Sequence, residues 1–282
     1  DGNIVMPYNC ENVTIRTSSA TNISNDDWII QGLTFDDQAS GGYTLSIQNS
    51  DNFIVRYNNF EDADSAFQIV KNASNGEVQF NFFEICGDCD PSDLVRIGDG
   101  SNVGQCTGSG FDRCWGGDSP RNIDFSYNWL SGSESTEDCG GANQSNHSGN
   151  DFLSVNGVND TGVHIHNNAF VDSECMEQFV DFKNGLEDGA EFSRNYMKGP
   201  FDHLGSDSFG NGSAPGGCMV GGDTQPGRGI RPNGVDGDCR QRDDCPVHVL
   251  HHNYCENGYS IETGPNGTRT SLGFRYGANR YE

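Results

Sequence analysis

The chain has 282 residues, 33% of them hydrophobic, and its 41 acidic residues against 16 Lys and Arg give a formal net charge of −25. That length allows one large domain with a substantial core, and no apolar run approaches the roughly 20 residues a membrane-spanning helix needs. So acidic a surface repels nucleic acid and anionic membranes, so neither is expected as a partner.

Gly, Asn, Asp and Ser are abundant, which suits short strands and turns and disfavours long amphipathic helices. The chain opens at Asp1 without a Met, as a mature or excised segment does. Its first apolar alternation, VTIR at 13–16, reads as an incomplete unit with no amphipathic cap before it.

From residue 28 onward one pattern recurs: hydrophobic, any, hydrophobic, two of any, Asn, any, hydrophobic. It reads WIIQGLTF at 28–35, FIVRYNNF at 53–60, VQFNFFEI at 78–85 and IDFSYNWL at 123–130. It continues as VHIHNNAF at 163–170, AEFSRNYM at 190–197, HVLHHNYC at 248–255 and FRYGANRY at 274–281. The Asn position holds Leu33, Asn58, Phe83, Asn128, Asn168, Asn195, Asn253 and Asn279, a column interrupted at Leu33 and Phe83. Successive spacings are 25, 25, 45, 40, 27, 58 and 26, so one unit of about 25 residues recurs, with insertions. Units of that size are single coils of a solenoid. The alternation makes each copy a strand, and an Asn at the bend after it can stack amide on amide.

A second strand follows in each unit: TLSIQNS (44–50), FQIVKNA (67–73), LVRIGDG (94–100), FLSVNGV (152–158), FVDFKNG (179–185), GIRPNG (229–234) and YSIET (259–263). Most end in Asn or Gly, which accept the left-handed backbone of a sharp corner. The insertions fall at about 86–120, 131–150 and 199–245. They hold most of the eleven cysteines, namely Cys86, Cys89, Cys106, Cys114, Cys139, Cys218 and Cys239, with Cys245 at the edge; Cys10, Cys175 and Cys255 lie elsewhere. Disulfides in an oxidising compartment are the natural use of such cysteines. An odd count leaves one thiol free or paired outside the chain. Eight sequons, at Asn12, Asn22, Asn72, Asn143, Asn146, Asn159, Asn211 and Asn266, point the same way, to a secreted or cell-surface glycoprotein.

Coils of short strands stacked in register give an all-β right-handed parallel β-helix of about eight coils, with long disulfide-bearing loop insertions, spanning 1–282 as one domain. The alternative, a β-sandwich of evenly spaced strands, does not call for the same Asn at the same phase. On this coil pattern the chain resembles the pectate-lyase-like superfamily of right-handed β-helices. That resemblance implies a polysaccharide lyase, a glycoside hydrolase, an epimerase or an adhesin. The Gly-His-Gly of the polygalacturonase-like hydrolases and the Trp-Ile-Asp-His of pectate lyases are absent. The segment CRQRDDCPVHVLHHNYCENGY at 239–259 resembles a distorted Arg-x-Pro-x-x-Arg region, with Arg240 and Arg242 as substrate-binding candidates and the proline displaced.

Alternation in the second strands sets two outward columns: Ser46, Gln68, Arg96, Ser154, Asp181, Arg231, Ser260 and Gln48, Val70, Gly98, Asn156, Lys183, Asn233, Glu262. With strands about 4.8 Å apart, Arg96, Asn156, Asp181, Lys183 and Arg231 would form one polar patch. Eliminating across a uronate needs a cation to neutralise its carboxylate and a base to take the C5 proton. Lys183 or Arg231 would be the base, Arg96 and Asn156 would bind substrate, and Asp181 would hold Ca²⁺. No organic cofactor is called for. A solvated ladder that only sets strand register is the competing use of the same residues. His164 and His166 should both face outward, where a third metal ligand is not evident. Trp115, Trp129, Tyr127 and Phe111 could stack on sugars. The expected function is thus a secreted β-helix acting on extracellular polysaccharide, most plausibly a Ca²⁺-assisted uronate lyase. Against it stand a non-catalytic structural or filament protein, self-assembling or joined to neighbouring domains, and a glycan-binding adhesin.

Overall fold

A computed structural model describes residues 2–9, 11–17, 20–37, 42–63, 65–85, 93–98, 120–132, 151–156, 162–171, 178–183, 191–198, 220–222, 248–256, 274–276 and 280–281. Within them every strand pairing is parallel, in three sheets called A, B and C here. The chain visits the sheets in turn: Asn3–Val5 in sheet A, Val13–Thr17 in B, Thr21–Ile23 in C, then Trp28–Gln31 back in A beside Asn3–Val5. Sheets A and B each have nine strands and C has seven. This is a parallel β-helix, with three strands per turn. The strands Asn3–Val5 in sheet A and Val13–Thr17 in sheet B precede the eight expected pattern copies and bring each sheet to nine strands among the described residues.

The recurring pattern builds the A-to-B corner. Its first two apolar positions point into the core from sheet A, as Phe53 and Val55 do, and its last points in from sheet B, as Phe60 does. The residue before the Asn has a left-handed backbone in each coil: Gly32, Tyr57, Phe80, Tyr127, Asn167, Arg194 and His252 all lie between φ +51 and +71. That twist turns the next side chain inward, so the Asn is buried between coils.

Six asparagines form one unbroken column: Asn58, Asn81, Asn128, Asn168, Asn195 and Asn253. Each Oδ1 accepts both the backbone N–H and the Nδ2 of the Asn below it; Asn81 to Asn128, for example, are at 3.0 Å and 3.0 Å. Each Nδ2 also donates to a sheet A carbonyl in the preceding coil, as Asn128 does to Val78 at 2.8 Å. Only Leu33 interrupts the pattern as expected, and its N–H donates to Asn58 Oδ1 at 3.1 Å.

The expected break at Phe83 is corrected. The true copy there is GEVQFNFF at 76–83, two residues earlier, with Gly76 opposite Phe53 and Ile123. Gly76 stands where other coils place a large apolar residue because the Phe53 ring already fills that space. A Cβ on Gly76 would lie 2.0 Å from Phe53 Cζ. Phe83 belongs instead to the inward column of sheet B, stacked on Phe60 at 4.8 Å, with Phe35 beyond at 4.7 Å. Among the described residues nine phenylalanines are fully buried, each contributing about 1.5–3 kcal/mol of burial.

Sheet C carries the second strands in the expected register, with Leu45, Phe67, Val95, Leu153 and Val180 in one inward column. Its strands end on the left-handed residues Asn49, Lys71 and Gly98. Only Cys255 among the cysteines falls in the described residues, on the strand Tyr254–Glu256, opposite Met197. The rest, and the disulfides they could form, lie outside them.

Candidate functional site on sheet C

Because strand side chains alternate, the outer face of sheet C shows the polar columns and its inner face the core. Register aligns Asn22, Ser46, Gln68, Arg96, Ser154 and Asp181 on successive strands. Beside this column Asn156 lies opposite Lys183. Arg96, Asn156, Asp181 and Lys183 therefore share three consecutive strands. For Asn156, Asp181 and Lys183 these are backbone positions.

Arg231 does not extend this column within the described residues. The strand next to Gln178–Lys183 is Val220–Gly222, which sets Gly221 opposite Asp181 where Arg231 was expected. Both segments lie in the 199–245 insertion, where GIRPNG resembled a second strand more than CMVGG did. Arg231, Arg240 and Arg242 all lie outside the described residues.

Arg96 is held firmly. Its Nε and Nη2 both donate to Asp93 Oδ2, at 3.0 and 2.6 Å, and its guanidinium lies 5.3 Å from the ring centre of Tyr43. Asp93 is buried, while the Arg96 side chain keeps 31% of its surface exposed. A buried carboxylate paired this way fixes the fork's orientation as well as its charge. Asp151, also buried, accepts the Leu94 N–H on its backbone oxygen at 2.9 Å. The two acids begin adjacent strands on the same flank of the sheet. Neither stood out in the sequence, because two acids among 41 carry no mark of burial.

Below Arg96 in the column, Gln68 Nε2 donates to Ser46 Oγ at 3.0 Å, and Lys71 Nζ donates to Gln48 Oε1 at 2.6 Å. Between Arg96 and Asp181, Ser154 is fully buried and its Oγ makes no hydrogen bond among the described residues. The outer face of sheet C is thus covered rather than freely solvated at Ser46 and Ser154.

No protein-family model matches the chain, and no curated protein matches it. Among solved structures it is similar to an alginate lyase from Paenibacillus sp. str. FPU-7, at 10% identity and a TM-score of 0.42, over 97% of this chain and 90% of that one. A second is the PL6 family alginate lyase AlyGC, at 10% identity and a TM-score of 0.28, over 98% of this chain and 49% of that one. Similarity at those levels assigns no activity.

Elsewhere, His164 and His166 face outward from sheet A and pair with acids on the strands to either side. His164 Nδ1 lies 3.2 Å from Glu191 Oε2, and His166 Nε2 lies 3.3 Å from Asp124 Oδ1. Among the described residues no three carboxylate, imidazole or thiolate groups converge as metal ligands. The sequon residues Asn12, Asn22 and Asn72 are exposed; Asn143, Asn146, Asn159, Asn211 and Asn266 lie outside the described residues.

Proposed function

We propose that this chain is a secreted lyase that cleaves uronate-containing polysaccharide by β-elimination on the outer face of sheet C. The observation that carries the reading is the register that brings Arg96, Asn156, Asp181 and Lys183 onto three adjacent strands of a chain with only three lysines. In this reading the substrate carboxylate meets the Arg96 guanidinium, which Asp93 and Tyr43 hold in place. Neutralising that carboxylate lowers the barrier to removing the C5 proton. The Lys183 amine takes the proton, the C5–H electron pair becomes the C4=C5 bond, and the C4–O bond breaks. The departing oxygen then takes a proton from solvent.

Ca²⁺ at Asp181 was the expected partner of this chemistry. A Ca²⁺ there would neutralise the substrate carboxylate beside the Arg96 guanidinium; the Asp181 side chain itself lies outside the described ones. The exposed sequons at Asn12, Asn22 and Asn72 support secretion.

A second reading has its own observation. The pairing of Arg96 with a buried Asp93 is also what a ladder serving only strand register contains, and it favours a non-catalytic adhesin or structural role. Incubation with polygalacturonate, alginate and a glucuronan, followed by ultraviolet absorbance of the new double bond, separates the two. The lyase reading expects product from at least one polymer and a loss of 10²-fold or more in Lys183→Ala. Binding without product supports the adhesin, and polymerisation or an intermolecular disulfide on non-reducing gels supports the structural role.

A further inference from the structure

We infer that sheet B carries a separate binding slot for an acidic sugar ring, between Trp129 and Tyr196. Register stacks Phe82, Trp129, Ala169, Tyr196 and Tyr254 in one outward column of that sheet. Ala169 is the one small residue in the run, and it remains partly exposed. Trp129 and Tyr196 are two strands apart, roughly 9–10 Å at sheet spacing. A ring packed at carbon contact distance on both sides needs roughly 7–8 Å of that, so a single sugar ring fits with Ala169 as the floor.

The walls suit a sugar. Trp129 is 48% exposed and makes no ring contact among the described residues, so its ring is available to a ligand. Tyr196 stacks on Tyr254 at 5.7 Å and 12°, so its plane lies across the column rather than along it. An indole and a phenol bordering one small residue are groups on which a pyranose ring stacks its C–H faces.

The rim points to the charge of the ligand. Arg194 and Lys198 flank Tyr196 on either side of its strand, and both are exposed. Arg194 sits at φ +54, at the corner position that Tyr57, Phe80, Tyr127, Asn167 and His252 hold in other coils. Among the described residues Arg194 is in no ion pair. On a chain with net charge −25, an unclaimed guanidinium beside an aromatic slot selects an anionic ring, and a uronate supplies both the apolar face and the carboxylate. Lys198 is opposite Glu256 on the next strand, which leaves Arg194 as the main anion contact. The slot is on a different sheet from Arg96 and Lys183, so it does not depend on the lyase reading.

Isothermal titration with tetragalacturonate, with cellotetraose as the neutral comparison, tests it. The acidic tetramer is expected to bind at least tenfold more tightly than the neutral one. Trp129→Ala, Arg194→Gln and the slot-filling Ala169→Leu should each weaken it tenfold or more, while binding persists in Lys183→Ala. Ala169→Leu changes an outward strand position and keeps the fold, which its thermal melt by circular dichroism checks, so lost binding there is not lost folding. No binding of tetragalacturonate, equal affinity for both sugars, or affinity within twofold of wild type in both Arg194→Gln and Ala169→Leu overturns the inference.

Discussion

Replacing Asn128 by Ala removes the centre of the buried amide column. The Asn81 backbone N–H loses its acceptor at 3.0 Å, the Asn81 Nδ2 loses one of its two acceptors, and the Val78 carbonyl loses a donor at 2.8 Å. Asn168 Oδ1 keeps the Asn128 backbone N–H at 2.9 Å but loses the Asn128 Nδ2 at 3.1 Å. The Asn81 N–H is left buried without its acceptor, at about 1–3 kcal/mol. The lost bonds to Asn81 Nδ2, the Val78 carbonyl and Asn168 Oδ1 add about 1 kcal/mol each, for a total of about 4–6 kcal/mol. That is a large share of a typical domain's 5–15 kcal/mol. Urea denaturation followed by far-ultraviolet circular dichroism measures it as a lower midpoint. Asn122→Gly is the comparison. Its side chain is exposed, bonds Asn75 at 2.6 Å, and sits at φ +51, where Gly relieves strain; it should change stability by under about 1 kcal/mol. A cost below about 1 kcal/mol for Asn128→Ala would refute the claim that the column holds the coils together.

Gly76→Ala should destabilise by about 2–3 kcal/mol, because its Cβ would overlap the Phe53 ring, and Phe53→Leu should recover most of the loss in a double-mutant cycle by thermal melting. Burial, with Asp62 and then Glu61 nearby, pushes the Glu84 carboxyl above its ordinary range. A raised carboxyl is protonated in the fold over a window where the unfolded chain is already ionised, so its contribution falls as pH rises above about 4.5. Glu84→Gln should therefore flatten the stability loss between pH 4 and 7 in denaturant titrations. Asp51 is shifted the other way, held low by Asn75 and then Ser74, so Asp51→Asn should remove a stability term that wild type loses only as pH falls below about 4. Chelation with EDTA tests the Ca²⁺ expected at Asp181: a loss of turnover of tenfold or more that added Ca²⁺ restores supports it, and turnover within twofold leaves neutralisation of the substrate to Arg96.

The solenoid is legible in the chain because three constraints repeat at once: inward alternation, a left-handed corner and a buried amide. The pattern misled where one constraint was met by a different residue. At 76–83 the inward residue is glycine, since Phe53 reaches across from the preceding coil, and Val78, Phe80, Phe83 and Ile85 then fit the pattern in a frame two residues late. The strand Val220–Gly222 was hidden because a three-residue strand inside a long insertion has no period to find. On sheet C, register was readable from alternation, but the clamp on Arg96 was not. Asp93 acts through burial and a three-residue turn of the chain, and neither is visible in an acid-rich sequence. The slot on sheet B likewise depends on which strands are neighbours: Trp129, Ala169 and Tyr196 are 40 and 27 residues apart and meet only once the coils are stacked.

The most direct test of the proposed chemistry is the fate of solvent oxygen. Cleavage of a uronate polymer in heavy-oxygen water, with the products read by mass spectrometry, should give unsaturated ends carrying no label, because elimination adds no water across the broken bond. Labelled, saturated ends would mean hydrolysis and contradict the account, as would the absence of any cleavage by folded protein.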